Sequence, residues 1–174
     1  MIWVFKIMKD HAPVLLEEVI DGLNLKSNYN VIDGTLGGGG HAERILEKIS
    51  PNGILIGTDL DENAINLAKK RLNRFGNRAI LIKQNYAYLK QKIHEQYSNI
   101  RIHGILLDLG LSLYQLQDTD RGFSFLNDAF GMKFDKNSEG EDAQEIVNLY
   151  SEEKLEKIFK EFGEEKLSRQ IARE

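Results

Sequence analysis

The run Asp33-Gly34-Thr35-Leu36-Gly37-Gly38-Gly39-Gly40-His41 constrains this chain more than any other segment. It follows a short apolar stretch, Tyr29 to Asp33, and precedes one in which Ile45, Leu46 and Ile49 share a helical face. Strand, glycine-rich loop and helix in that order open a βαβ unit. Glycine permits positive φ and lets a ligand approach the main chain. The helix start adds unpaired N–H groups. Four glycines in a row exceed what a tight turn needs, so the loop is read as a ligand cradle.

The rest of the first hundred residues repeats the unit. Pro13 predicts a helix start, with Leu16, Val19, Ile20 and Leu23 on one face. Ile54 to Asp59 reads as a second strand after a Pro51-Asn52-Gly53 turn. Asp61 is an expected N-cap for a helix carrying Ala64, Ile65, Ala68 and Leu72. Ala79 to Ile82 gives a third strand, Leu89 and Ile93 mark another helix, and Ile102 to Asp108 gives a fourth strand. Continuous apolar strands alternating with helices predict an α/β fold, a doubly wound parallel sheet covered on both faces. From about residue 110 the period is lost. Helical patterns return with Ala143, Ile146, Val147 and Tyr150, then with Leu155, Ile158, Phe159 and Phe162 behind a Ser151 cap, and begin again at Leu167 and Ile171 after Gly163. The expected division is an N-terminal extension over 1–9, a cofactor-binding half over 10–109, and a loop and helical accessory region over 110–174. The extension is read as an edge strand or as residues upstream of an alternative start at Met8.

Composition excludes several functions. The chain has 174 residues, 23 Lys and Arg against 27 Asp and Glu, and no Cys. A thiolate metal site, a disulfide scaffold and a Cys nucleophile are therefore absent. The net charge of −4 is wrong for a strongly basic nucleic-acid module. No run approaches the roughly 20 apolar residues of a membrane helix, and no signal peptide is recognisable, so a cytoplasmic protein without membrane contact is expected. His11, His41, His94 and His103 show no metal-ligand spacing.

Asp33 separates the candidate ligands. Gly37-x-Gly39-x-x-Ala42 fits a dinucleotide fingerprint, so a nicotinamide cofactor is a rival. An acid ending the first strand favours a cation such as the amino-acid end of S-adenosylmethionine and repels a pyrophosphate. Asp59, 19 residues beyond Gly40, suits the ribose hydroxyls of either ligand. Asp59 and Asp61 also allow a carboxylate-pair reading. Gly40-His41 lacks the Lys of a P-loop. His41, at a helix start that disfavours positive charge, is expected to be neutral and to donate to or stack on a ligand. Asp108, ending the fourth strand, is a candidate to orient an amine nucleophile or the cofactor, or a loop cap. Arg121-Gly122-Phe123-Ser124-Phe125 suits base stacking beside a phosphate contact, or equally a loop anchored by buried rings. Lys69, Lys70, Arg71, Arg74 and Arg78 form either a basic patch or a solvated helix face.

Together these segments resemble the bacterial N4-cytosine methyltransferases of small-subunit ribosomal RNA, the RsmH or MraW family. The resemblance runs in order through His11 to Val19, Asp33 to His41, Gly57 to Asp61, Asp108-Leu109-Gly110, Asp120 to Phe125, Gly163 to Glu165 and Ser168 to Arg173. It implies a Rossmann-like methyltransferase with a helical insertion, S-adenosylmethionine as donor, and a cytosine in ribosomal RNA of the small subunit as acceptor. It assigns cofactor contacts to Gly39, Gly40, His41, Asp59, Tyr86, Asp108 and Gln115. Asp108 and Ser112 become the catalytic candidates, hydrogen-bonding the attacking amino group while the enzyme aligns the reactants. No metal is implied.

The chain departs from the family pattern at Leu113-Tyr114, at Gly131, where an acid is lost, and at Lys133, which replaces Arg. The resemblance also implies that the family continues beyond Glu174. With about four strands in the order 3-2-1-4, the fourth would be an open edge carrying Ile105, Leu106 and Leu107. The expectation is a homodimer through that edge, pairing with a separate C-terminal half, or poor stability alone. The alternative function is a truncated, non-catalytic half-domain that binds cofactor or RNA.

Overall fold

The computed structural model describes residues 13–126, 128–135 and 138–174. The proposed N-terminal extension, Met8 and His11 lie outside the described residues. The chain divides into two units, one ending at Ser112 and the other beginning at Leu113.

The first unit carries α1 (Leu16–Gly22), β1 (Val31–Asp33), α2 (Gly40–Lys48), β2 (Leu55–Asp59), α3 (Glu62–Leu72), β3 (Ala79–Lys83), α4 (Leu89–Gln96) and β4 (Gly104–Leu106). The strands form one parallel sheet in the order β3-β2-β1-β4, as the sequence predicts. The two-residue period of the strands sorts their side chains. Val31, Leu55 and Leu81 pack with Ile20, Ile45, Leu46 and Leu72 of α1, α2 and α3 on one face. Ile32, Ile56, Ile80 and Ile82 pack with Leu89 and Ile93 of α4 on the other. Both faces are therefore covered, which is why these strands read as unbroken apolar runs.

Three boundaries differ from the sequence reading. α1 starts later than Pro13, because Leu15 is left-handed (φ 51°) and the carbonyl of Val14 turns to meet the His41 ring. β1 is short because Asn30 spends its side chain on bridges: its Oδ1 accepts from Ile54 N–H and its Nδ2 donates to the Arg101 carbonyl. β4 spans Gly104–Leu106 rather than Ile102 to Asp108, since its ladder matches β1 residue for residue, from Val31↔Gly104 to Asp33↔Leu106. Among the described residues β4 pairs with β1 alone, and Ile105 is 60% exposed on the open side.

The second unit holds α5 (Leu113–Gln117), α6 (Ala143–Leu149), α7 (Glu152–Glu161) and α8 (Ser168–Arg173). α6 starts with a reciprocal cap. Asp142 Oδ1 accepts from Glu145 N–H, and Glu145 Oε2 accepts from Asp142 N–H. Ser151 caps α7 as expected. The irregular stretch before α6 is organised by Arg121, which is buried, pairs with Asp118 Oδ2 at 2.9 Å and donates to the Phe134 carbonyl. The ring of Phe123 lies 5.4 Å from that of Phe134. Arg121 is thus a strut of its own loop and not a phosphate contact, while Phe125 is almost fully exposed. Lys133 likewise serves its own loop, donating to the carbonyls of Ser138 and Gly140.

Candidate active site

The carboxyl ends of β1, β2 and β4 bring Asp33, Asp59 and Asp108 to one edge of the first unit. Ligands of open α/β sheets bind at this edge. Asp33 is 1% exposed. Its Oδ1 accepts from Thr35 N–H at 3.1 Å. Burial nevertheless pushes the carboxyl up to about 7, with Asp59 and Asp108 adding to the rise and the Thr35 N–H opposing it. Such a group is held near neutrality in an electronegative setting, and a cation placed against it would ionise it.

Asp59 has a different job to begin with. Its Oδ2 accepts from Gly37 N–H at 2.8 Å and its Oδ1 from Asp61 N–H at 2.9 Å. It therefore ties the glycine loop to the end of β2. Burial raises its pKa, against the pull of these N–H donors. With the Leu60 N–H as a third donor, the carboxylate retains acceptor capacity for a hydroxyl. Asp61 accepts from Asn63 N–H at 3.0 Å and caps α3, the separate role expected for it.

The glycines are explained partly from within. Gly39 caps α2 at φ 79°, and a Cβ there would come within 3.2 Å of the Ala68 Cβ. A Cβ at Gly40 would meet the Pro13 ring. Both glycines let α2 dock closely, and the Gly39 N–H is already spent on the Leu36 carbonyl at 2.9 Å. At Gly34 a Cβ would meet Leu107 and the Cβ of Tyr86. That contact places Tyr86, half exposed, beside the end of β1.

His41 is buried, with Nε2 3.0 Å from the Val14 carbonyl. A carbonyl only accepts, so Nε2 carries a hydrogen and donates it to Val14. Of the two roles expected of the His41 ring, donation from Nε2 goes to the Val14 carbonyl instead of a ligand. Nδ1 lies 3.8 Å from Asp108 Oδ2, beyond hydrogen-bond length. Asp108 is half exposed, and its N–H donates to Thr35 Oγ1 at 2.7 Å. Ser112 closes the first unit. Gln115 is buried on α5 of the second unit. Thr35 and the Val14 carbonyl were invisible to sequence reasoning, since both act on partners distant along the chain.

The basic cluster that begins on α3 and continues past its end is tied to α2. Arg74 pairs with Glu43 and Glu47, and Arg71 Nε lies 3.9 Å from Glu43. Arg78 donates to the carbonyls of Gly53 and Leu46. His103 is structural, accepting from Asn30 N–H and stacking on Tyr29 at 4.4 Å. Among the described residues no group of acids and histidines is placed to hold a metal ion, and no helix is long and apolar enough to cross a membrane.

Residues 8–174 match the model of the MraW methylase family. Curated relatives include ribosomal RNA small subunit methyltransferase H of Syntrophus aciditrophicus, 46% identical over 94% of this chain and 51% of that protein. The protein of the same name from Clostridium botulinum is 46% identical over 94% of this chain and 52% of its own length. This chain spans about half the length of the curated relatives it matches. Among solved structures, an rRNA methylase from Streptococcus thermophilus aligns with 59% of this chain and 57% of its own, at 20% identity and a TM-score of 0.45.

Proposed function

The chain belongs to the MraW methylase family, and from that premise we propose that it carries the cofactor-binding half of a cytoplasmic S-adenosylmethionine-dependent methyltransferase acting on the N4 amine of a cytosine in small-subunit ribosomal RNA. The observation that carries this reading is the buried, electronegative Asp33 at the end of β1, its carboxyl lifted to about 7. A sulfonium ligand with an ammonium group suits it, and the pyrophosphate of a nicotinamide cofactor does not. Asp59 offers acceptors for ribose hydroxyls, and Tyr86 an exposed ring for adenine. When bound, the cofactor supplies an electrophilic methyl group.

The residues of this chain then contribute position and charge. Asp33 gains its negative charge as the cation arrives. Asp108, and Ser112 near it in sequence, hydrogen-bond the attacking amino group and keep its lone pair aimed at the methyl carbon. The proton released from that amine passes to Asp108 or to water. No covalent enzyme intermediate is needed.

A second reading is a half-domain that binds without turnover, for which the support is that β4, among the described residues, pairs with β1 alone. Transfer of tritiated methyl groups to small ribosomal subunits separates the two. Labelled ribosomal RNA supports the enzyme. Cofactor binding without label supports the half-domain, and absence of cofactor binding contradicts both.

A further inference from the structure

We propose that Thr35 is a positioning residue of this site: its hydroxyl fixes the main chain of Asp108 and so sets the Asp108 carboxylate against His41. The inference rests on the reading of the site as a cofactor pocket. Asp108 lies beyond the last ladder residue of β4, Leu106, so the sheet itself does not hold it. Its N–H donates instead to Thr35 Oγ1 at 2.7 Å, while Thr35 N–H donates to Asp33 Oδ1 at 3.1 Å. One residue in the glycine loop thereby joins the ends of β1 and β4.

The second half of the arrangement is fixed independently. The Val14 carbonyl occupies His41 Nε2–H, and Nδ1 is the ring nitrogen turned toward Asp108. Nδ1 and Asp108 Oδ2 are 3.8 Å apart, too far for a hydrogen bond between them. The pair suits a polar group of a bound ligand that reaches both. Valine at position 35 keeps the shape of threonine and removes the acceptor, leaving the Asp108 N–H unpaired and the carboxylate free to wander. The loss is one of preorganisation.

The test is a double-mutant cycle with a ligand-independent readout beside it. S-adenosylmethionine affinity is measured by calorimetry for wild type, Thr35→Val, Thr35→Ser, Asp108→Asn and the Val/Asn double variant, with urea melts to confirm folding. The His41 ring 15N signals are recorded for the same set. Thr35→Val is expected to weaken binding about tenfold, Thr35→Ser less than about threefold, and Thr35→Val to add less than about twofold once Asp108 is Asn. The ring signals of Thr35→Val should move toward those of Asp108→Asn, and those of Thr35→Ser should stay with wild type. An unchanged ring signal and affinity in Thr35→Val, or a full tenfold loss in the Asn background, overturns the proposal. If wild type binds no S-adenosylmethionine while the ring signals behave as stated, the cofactor reading fails and the positioning role stands.

Discussion

The two units are stabilised by different means. Among the described residues every buried apolar side chain except Leu155 lies in the first unit. There the parallel sheet is sandwiched, with Val31, Leu55 and Leu46 fully enclosed. The second unit relies on local devices: the Asp142–Glu145 cap, the Ser151 cap and the Arg121 strut, while Leu149 and Phe162 remain exposed. Hydrophobic burial is cooperative and long-range, whereas a cap holds only its own helix end. The candidate site sits on the unit with the core, where carboxylates can be held in place at an energetic cost.

That difference sets a scale for substitutions. The largest effect belongs to Leu46→Ala, which empties a fully buried position and should cost about 2–5 kcal/mol in a urea melt. Next comes Asp33→Asn. The folded carboxyl titrates near 7 against 3.8 for the free group, so stability is whole below the lower value and falls as pH rises through the higher. Asn keeps an acceptor for Thr35 N–H without the charge. Near pH 8 the variant should therefore be more stable than wild type by on the order of 3 kcal/mol, and near pH 4 the advantage should vanish. A variant less stable at pH 8 would mean that Asp33 is not the buried acid described.

Smaller changes probe the second unit. Asp142→Ala removes half of the α6 cap and should cost about 1 kcal/mol. Hydrogen exchange should show it in α6 amides alone, with those of β1 and β2 unchanged. Leu149→Ala, at an exposed position, should shift stability by less than about 0.5 kcal/mol. A loss there comparable to that of Leu46→Ala would erase the distinction between the units.

What the sequence revealed divides along the same line. The Asp61 and Ser151 caps and the apolar faces of α2 and α3 were legible because each is encoded within a few residues, whereas the strand order came with the family resemblance. The extent of β4 was not, because it is set by its pairing with the three residues of β1. Arg121 beside two phenylalanines allowed an RNA contact or an anchored loop equally, and only the fold shows its guanidinium donating to Asp118 and the Phe134 carbonyl. The His41 ring looked free to donate until the fold brought Val14 to it. The carboxylates Asp33, Asp59 and Asp108 were recognisable by their places after strands. The threonine joining two of them was not, since a hydroxyl accepting a main-chain N–H across 73 residues leaves no local pattern.

The central claim is that the edge formed by Asp33, Asp59 and Asp108 receives a cationic cofactor. Calorimetric titration with S-adenosylmethionine at pH 5.5 and pH 7, over which the ligand's amino group remains charged, tests it most directly. With Asp33 titrating near 7, and Asp59 and Asp108 as its ionisable neighbours, affinity should rise about tenfold across that interval. In Asp33→Asn the rise should be lost. Absence of binding, or equal affinity at both pH values in wild type, would contradict the account.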